Sequence, residues 1–183
     1  MVKFESSAWK ECPDSVDAKR KYSVDAKNPR IATKAGTNYY FSTIIGNVPL
    51  PLKAVTSWSI EVLKSKGNNG DSVIIGVAPS DVNQDEECNC AKCGWYLHCY
   101  DSRLTSGAPH NLKDEEYGPR KEFGQFVHNG DIVGVTMDTK KGELSFTLNG
   151  TNHGVAYKGI PLDKPLVPCV ILHKPGDSVE LII

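Results

Sequence analysis

The amino-acid sequence predicts an all-β protein built as a sandwich of two antiparallel sheets. From Tyr39 onward, short apolar runs alternate with turn signals about every eight to fifteen residues, which is typical of a β-sandwich. The 16 glycines and 11 prolines among the 183 residues favour many turns. Helical periodicity is almost absent, so we expect a chain organised as strands and loops.

Two consecutive β-hairpins are predicted over residues 131–157, DIVGVTMDTKKGELSFTLNGTNHGVAY. Apolar positions alternate with polar or small ones, and a period of two marks strands with one buried face. Residues 138–142 supply the first turn, and Asn149-Gly150 supplies the second because both residue types tolerate positive φ. The alternating apolar residues are Val133, Val135, Met137, Leu144, Phe146 and Leu148. The stretch carries no active-site motif, so function is expected on the loops.

The same alternation occurs on either side of these hairpins, whereas residues 1–30 are the least regular part of the chain. Each further strand is predicted to bury one face and to present polar residues on the other. The apolar faces consist of Trp58, Ile60 and Val62 in one strand and of Val179 and Leu181 in another.

Five motifs resemble, in order, the strands of the SPRY domain family. Each motif is weak alone, but their order and spacing together are specific. They are Trp58-Ser59-Ile60-Glu61-Val62, Ile75-Gly76-Val77, Gly94-Trp95-Tyr96-Leu97, the GDIVGV and LSFTLNG stretch within 130–157, and Pro165-Leu166-Val167-Pro168-Cys169-Val170. Upstream, Ile31-Ala32-Thr33 and residues 41–46 resemble the short strands that open many SPRY units.

The resemblance implies a bent β-sandwich of two antiparallel sheets with a concanavalin-like jelly-roll architecture. We expect residues 1–183 to form one domain. An irregular, PRY-like segment of residues 1–38 would pack on a SPRY core of residues 39–183. The last strand would pair in the interior of a sheet.

Composition narrows the possible partners and compartments. The formal net charge is −1 with both signs well mixed, so no clustered basic patch indicates nucleic-acid or anionic-membrane binding. The chain has no run of 18 apolar residues, and its first residues lack the apolar core of a secretory signal. We expect a cytoplasmic, possibly nuclear, monomer whose six cysteines are reduced.

The most conspicuous ligand-like cluster is made of cysteines. Thiolates and imidazoles bind zinc, but structural sites usually draw ligand pairs from two separate segments, whereas this cluster is local. The favoured interpretation is a polar loop with solvated thiols and no metal, with zinc binding and a redox pair as alternatives. The SPRY family does not generally carry a metal at this place. The weak metal-ligand candidates are Cys88, Cys90, Cys93 and Cys99.

Enzymatic motifs are missing from the sequence. It contains neither a G-x-S-x-G nucleophile elbow nor a phosphate-binding loop ending in G-K-[ST]. We therefore expect no catalysis and no cofactor.

The resemblance implies a module that captures a peptide or a partner surface through loops at one edge of the sandwich. Two long segments, residues 78–93 and 101–124, are where partner specificity is expected. The predicted partner-binding residues are Arg30, Asp81, Asn83, Gln84, Asp85, Glu86, Tyr117, His173 and Lys174. The roles of Tyr39-Tyr40 and Tyr117 stay open, and for Tyr117 the alternatives are an interface residue and a loop anchor packed onto the sheet.

Two other functions stay open at this point. A structural subunit would dock by a sheet face, which an exposed apolar patch on a sheet would favour. A zinc-stabilised or redox-responsive domain would use the cysteine cluster, and metal analysis of the purified protein would reveal it.

Overall fold

The computed structural model describes residues 7–66, 73–85, 94–106, 115–116 and 127–183. These residues contain thirteen β-strands and one short 3₁₀ turn, Ala18–Arg20. The strands are β1 Tyr22–Val24, β2 Ile31–Lys34, β3 Ser42–Ile45, β4 Val55–Lys64, β5 Val73–Pro79, β6 Trp95–His98, β7 Arg103–Ser106, β8 Glu115–Glu116, β9 Ile132–Asp138, β10 Glu143–Leu148, β11 Thr151–Tyr157, β12 Leu166–Leu172 and β13 Ser178–Ile182.

The strands form two antiparallel sheets, as predicted from the sequence. One sheet has seven strands in the order β1-β2-β13-β4-β9-β10-β11, and the other has six in the order β3-β12-β5-β6-β7-β8. Strands distant in sequence lie side by side, because β13 inserts between β2 and β4 and β12 inserts between β3 and β5. The all-β sandwich predicted from the alternating pattern is therefore confirmed.

The main core lies between the two sheets and is built by the predicted alternation. In β4, the side chains of Trp58 and Ile60 are buried, and their register partners in β9 are Val135 and Val133. Such cross-strand apolar pairs on the inner face are the unit that stabilises an antiparallel sheet.

Both predicted turns of the double hairpin are present. The turn between β9 and β10 closes where Gly142 N–H donates to the Asp138 carbonyl at 2.8 Å. Asn149 and Gly150 connect β10 to β11 with φ values of 47° and 83°. This is the left-handed region that tight hairpin turns require.

Much of the six-stranded sheet is buried on both faces, because every residue of β3 and β12 and all but the last of β5 are buried. Its outer face carries a second apolar cluster, which includes Ile74, Tyr96 and Cys169, with Phe41 and Val82 packed against it. Strands β5 and β12 therefore have nearly continuous apolar sequences rather than alternating ones, as strands covered on both sides do. A Cβ at Gly76 would lie 1.9 Å from the Trp95 carbonyl oxygen, so only glycine allows this close pairing of β5 with β6.

The N-terminal segment is more regular than the sequence predicts. Residues 1–38 were expected to be irregular, but they contribute β1 and β2 to the seven-stranded sheet. The expected opening strand at Ile31-Ala32-Thr33 is present and lies in β2. The sequence does not reveal β1 because only three residues form it, too few for a period to be recognised.

The last strand lies in the interior of its sheet, as expected. β13 pairs with β2 on one side and with β4 on the other, and Val179 and Leu181 are fully buried.

We therefore predict that deleting residues 177–183 makes the protein insoluble, because the deletion exposes core and leaves the backbone groups of β2 and β4 unpaired. Sedimentation of the expressed protein measures its solubility, and circular dichroism measures whether the soluble part unfolds cooperatively. Removing only Ile183, which follows β13, serves as the control and should have little effect. Soluble shortened protein that unfolds cooperatively would contradict the prediction.

Candidate functional site

Three consecutive aromatic residues precede β3 and face two different environments. The Tyr39 side chain is 53% exposed, whereas Phe41 packs against the apolar cluster on the outer face of the six-stranded sheet. Phe41 thus anchors the segment, and Tyr39 and Tyr40 are displayed beside it. We call this segment, together with the side chains that contact it, the aromatic surface. Its residues are Lys19, Arg20, Tyr39, Tyr40, Phe41, Lys66 and His173.

Three cationic side chains contact the two tyrosines. The Lys19 ammonium lies 5.2 Å and the Arg20 guanidinium 5.6 Å from the Tyr40 ring centroid, within the range of cation–π attraction. The Lys66 ammonium lies 2.5 Å from the Tyr39 hydroxyl and 5.0 Å from its ring centroid. These two distances place Lys66 beyond the hydroxyl, so the contact is a hydrogen bond rather than a cation–π interaction. That bond raises the pKa of the Lys66 ammonium.

His173 holds the other side of the aromatic segment. Its ring stacks on Phe41 with the centroids 4.4 Å apart and the planes 22° apart. Its Nε2 lies 3.0 Å from the Tyr39 carbonyl oxygen. Because a carbonyl only accepts, Nε2 must carry a hydrogen and donate it. His173 therefore fixes the backbone of Tyr39 and leaves the phenol side chain exposed.

The buried carboxylate of Asp177 fixes the backbone below this surface. It accepts hydrogen bonds from the Lys174 N–H at 2.7 Å and from the Lys66 N–H at 3.0 Å. The Asp177 side chain is fully buried, so both bonds are shielded from water. The position of Lys66, and with it the contact to Tyr39, depends on this carboxylate.

Lys34 is a buried cation that supports the 3₁₀ turn carrying Lys19 and Arg20. Its ammonium donates to the Lys19 carbonyl at 2.6 Å and to the Ala35 carbonyl at 3.1 Å. Burial lowers the pKa of Lys34, the nearby Arg20 lowers it further, and Asp177 opposes both effects. Lys34 and Asp177 are thus two buried charges of opposite sign beneath one exposed surface.

The loop after β5 is tied to the base of the aromatic surface by Gln84. Its Nε2 donates to the Tyr22 hydroxyl and to the Thr43 carbonyl, both at 2.9 Å. Tyr22 in turn donates to the Lys10 carbonyl at 2.9 Å, and burial raises the pKa of the Tyr22 hydroxyl. Gln84 was predicted to contact a partner, but its amide is buried and engaged within the domain. We therefore exclude it from the candidate surface.

Other predicted residues of this loop are exposed. Asp85 accepts the Asp17 N–H at 2.7 Å, and Asp17 accepts the Lys19 N–H at 2.8 Å, which links the loop to the 3₁₀ turn. Asn83 accepts the Asp85 N–H at 3.0 Å. Asp85 and Asn83 therefore border the aromatic surface.

The predicted binding residues do not converge on one edge of the sandwich. Asp81 forms an ion pair of 2.8 Å with Lys164, just before β12 begins, whereas His173 follows the end of β12. The seven residues of β12 separate these ends by about 20 Å. The Arg30 carbonyl accepts the Leu181 N–H, which places Arg30 beside the end of β13 that is distant from Asp177. Arg30 and Asp81 are thus separate from the aromatic surface.

Several predicted residues lie outside the described part of the chain, namely Glu86, Tyr117, Cys88, Cys90 and Cys93. The remaining metal-ligand candidate, Cys99, is fully buried in the main core, and burial raises the pKa of its thiol. Zinc is bound by thiolates, so this position is unsuited to a metal ligand. Within the described ranges, no group of three or more His, Cys, Asp or Glu side chains could hold a metal ion.

Comparison with known families settles which kind of sandwich this is. The SPRY domain family model matches residues 55–183. The chain belongs to the SPRY domain family. SPRY domains are generally non-catalytic modules for protein–protein interaction, and the fold and family implied by the sequence motifs are thus confirmed.

Individual relatives agree with this assignment. The chain is 27% identical to Ran-binding protein 10 of Danio rerio over 173 residues, which covers 92% of this chain but only 27% of that protein. The human HERC1 SPRY domain has a TM-score of 0.62 at 18% identity, and 88% of this chain and 91% of that chain are covered. A further human SPRY domain has a TM-score of 0.68 at 17% identity, with 88% and 96% covered.

These structural similarities show the SPRY fold alone, because the identities are low. The chain spans about a quarter of the length of its Danio rerio relative. No helix in the described ranges has the length and apolarity needed to cross a membrane.

The sequence pattern did not assign Lys19, Arg20 and Lys66 to the site, and it left Tyr39-Tyr40 open. These residues come from three separate segments that meet only in the folded sandwich. The adjacent tyrosines before a strand were the one available signal, since tyrosine is enriched where interfaces form.

Asp177 should contribute strongly to stability. We expect Asp177→Ala to lower the free energy of unfolding by about 2–3 kcal/mol, because it leaves two backbone donors without their acceptor and removes a charge that favours the Lys34 ammonium. Denaturant unfolding measures this, with Asp163→Ala at an exposed bend as the control. Equal midpoints for the two variants would contradict the role assigned to Asp177.

Proposed function

We propose that this SPRY domain binds a protein or peptide partner through the aromatic surface. The observation that carries the proposal is Tyr39, whose ring is more than half exposed although its backbone and hydroxyl are both held in place. An exposed aromatic ring with a fixed position is a feature of binding surfaces rather than of a solvated loop.

The supporting structure keeps the cost of binding low. His173 holds the backbone of Tyr39, and Asp177 holds the backbone of Lys66. Ordering a side chain at an interface costs about 0.5–1.5 kcal/mol, and a surface that is already ordered avoids much of this loss. Tyrosine and arginine are also the residue types most often found among the strongest interface contacts.

Docking by a sheet face receives less support. The centre of the outer face of the seven-stranded sheet carries the small polar residues Ser57, Ser59 and Thr136, with Ile182 and Ile183 beside them. Exposed apolar side chains such as Ile132 and Val155 occur singly around it. Single exposed apolar residues are normal on protein surfaces.

A capture experiment with matched variants tests the location of the interface. The surface variant carries Tyr39→Ser and Lys66→Glu. The control carries Val155→Ser and Lys158→Glu, which remove an apolar side chain of similar exposure and an exposed lysine from the β11 region. Both variants should keep the wild-type melting temperature, because exposed substitutions change stability by only about 0.5 kcal/mol or less.

We expect the surface variant to capture about fivefold less of the partner proteins than the wild type and the control do. A fivefold loss corresponds to about 1 kcal/mol of binding free energy. Quantitative mass spectrometry of the three captures measures this. If only the control captured less of the partner proteins, the interface would lie on the sheet face. Equal capture by all three proteins would refute the aromatic surface as the interface.

A further inference from the structure

A pocket of about 600 Å³ opens at the end of the sandwich opposite the aromatic surface. It lies where β4 begins, whereas the aromatic surface lies where β4 ends, about 30 Å away along ten residues of strand. Three segments meet there: the loop before β4, the turn between β9 and β10, and the connection from β11 to β12. We call it the leucine–lysine pocket; it is lined by Leu52, Lys53, Thr139, Lys140 and Leu162.

Thr139 fixes the first two segments to each other. Its hydroxyl donates to the Pro51 carbonyl at 2.8 Å and accepts the Ala54 N–H at 3.0 Å. Its own backbone N–H donates to the Ala54 carbonyl at 2.9 Å. These bonds enclose Leu52 and Lys53, so the two residues sit on a short loop closed at both ends.

The third segment is fixed to the same turn by Gly142. The Ile160 N–H donates to the Gly142 carbonyl at 3.0 Å. Gly142 has φ of +66°, and a Cβ there would lie 2.7 Å from the Ile160 carbonyl oxygen. Glycine therefore allows both the turn and its close contact with the chain that leads to Leu162. The pocket is already formed without a ligand, as most binding pockets are.

Two unfavourable features coincide at the rim of this pocket. The Leu52 side chain is 65% exposed. The neighbouring Lys53 has φ of 54°, a left-handed conformation that costs a non-glycine residue about 1–2 kcal/mol. Backbone strain that the surrounding structure maintains is concentrated at functional sites. Neither feature contributes to the core of the sandwich.

The two charged side chains that line the pocket are both lysines, and neither has a carboxylate partner in the part of the chain that the structure describes. Within the described residues, no ion pair joins Lys53 or Lys140 to an acidic side chain. Asp138 lies close by, but its carboxylate accepts the backbone N–H groups of Lys140 and Lys141 and its ion pair is with the Lys141 ammonium. An apolar wall beside two unpaired cations is complementary to an apolar side chain flanked by carboxylates.

We propose that the leucine–lysine pocket is a second binding site, which takes a peptide segment carrying an apolar side chain next to acidic residues. The apolar side chain would lie between Leu52 and Leu162, and the acidic groups would pair with Lys53 and Lys140. This site is independent of the aromatic surface and goes beyond the function proposed for it.

The first test uses two synthetic peptides of equal length, Ac-EELFEE-amide and its lysine counterpart Ac-KKLFKK-amide, titrated into ¹⁵N-labelled protein. We expect the acidic peptide to shift the amide resonances of residues 52–54 and 139–141, and the lysine peptide to leave them unchanged. Salt should weaken the acidic peptide's binding, because exposed ion pairs are screened. Shifts confined to the residues around Tyr39, or equal binding of both peptides, would overturn the proposal.

A second test separates binding from stability. Lys53→Gly removes one cation and also relieves the left-handed strain, so its melting temperature should be at or above that of the wild type. Lys140→Ser removes the other cation from an exposed turn. Each substitution should weaken binding of the acidic peptide by about threefold, which is the usual contribution of one exposed ion pair.

The matched control is Lys27→Ser, which removes an exposed lysine from a bend that belongs to neither surface and should bind the acidic peptide as the wild type does. Wild-type affinity in both Lys53→Gly and Lys140→Ser would refute the pocket. Equal capture by all three proteins in the earlier experiment would not affect this conclusion, because the two experiments test opposite ends of the sandwich.

Discussion

The carboxylate of Asp177 is the interaction on which the arrangement of the aromatic surface depends. It sits where the chain leaves β12 in the six-stranded sheet and enters β13 in the seven-stranded sheet. Its oxygens satisfy the backbone of Lys66, which follows β4, and of Lys174 in the turn itself. A buried charge is costly unless it is fully hydrogen-bonded, and here that requirement forces the turn before β13 and the segment after β4 into one geometry.

Lys34 extends the same constraint to the N-terminal segment. Its backbone N–H donates to the Asp177 carbonyl, and its ammonium reaches the Lys19 carbonyl. The 3₁₀ turn that presents Lys19 and Arg20 to Tyr40 is therefore held by the Lys34 ammonium, and the Lys34 backbone is held in turn by that of Asp177. This explains how a segment with little regular structure can take part in a defined surface.

The sequence predicted the scaffold well because the scaffold depends on local patterns. The alternation in β9 and β10 and the Asn149-Gly150 turn can be recognised within a dozen residues. The sequence could not show how the candidate binding residues lie relative to one another, because their positions depend on contacts across the fold. Nothing local distinguishes Gln84, whose amide is buried, from Asp85, whose side chain is exposed. Likewise, no local pattern shows that Asp81 and His173 lie at opposite ends of β12.

The outermost strand of the six-stranded sheet has a further consequence for association between molecules. β3 pairs with β12 on one side only, so its other side could in principle accept a strand from another chain. The Gln84 amide occupies the Thr43 carbonyl on that side, and the Lys10 N–H occupies the Ile45 carbonyl. A side-chain amide and a stretch of N-terminal backbone thus take the place of a neighbouring strand. The domain can therefore expose the Tyr39 ring while this sheet edge is closed to strand-by-strand aggregation.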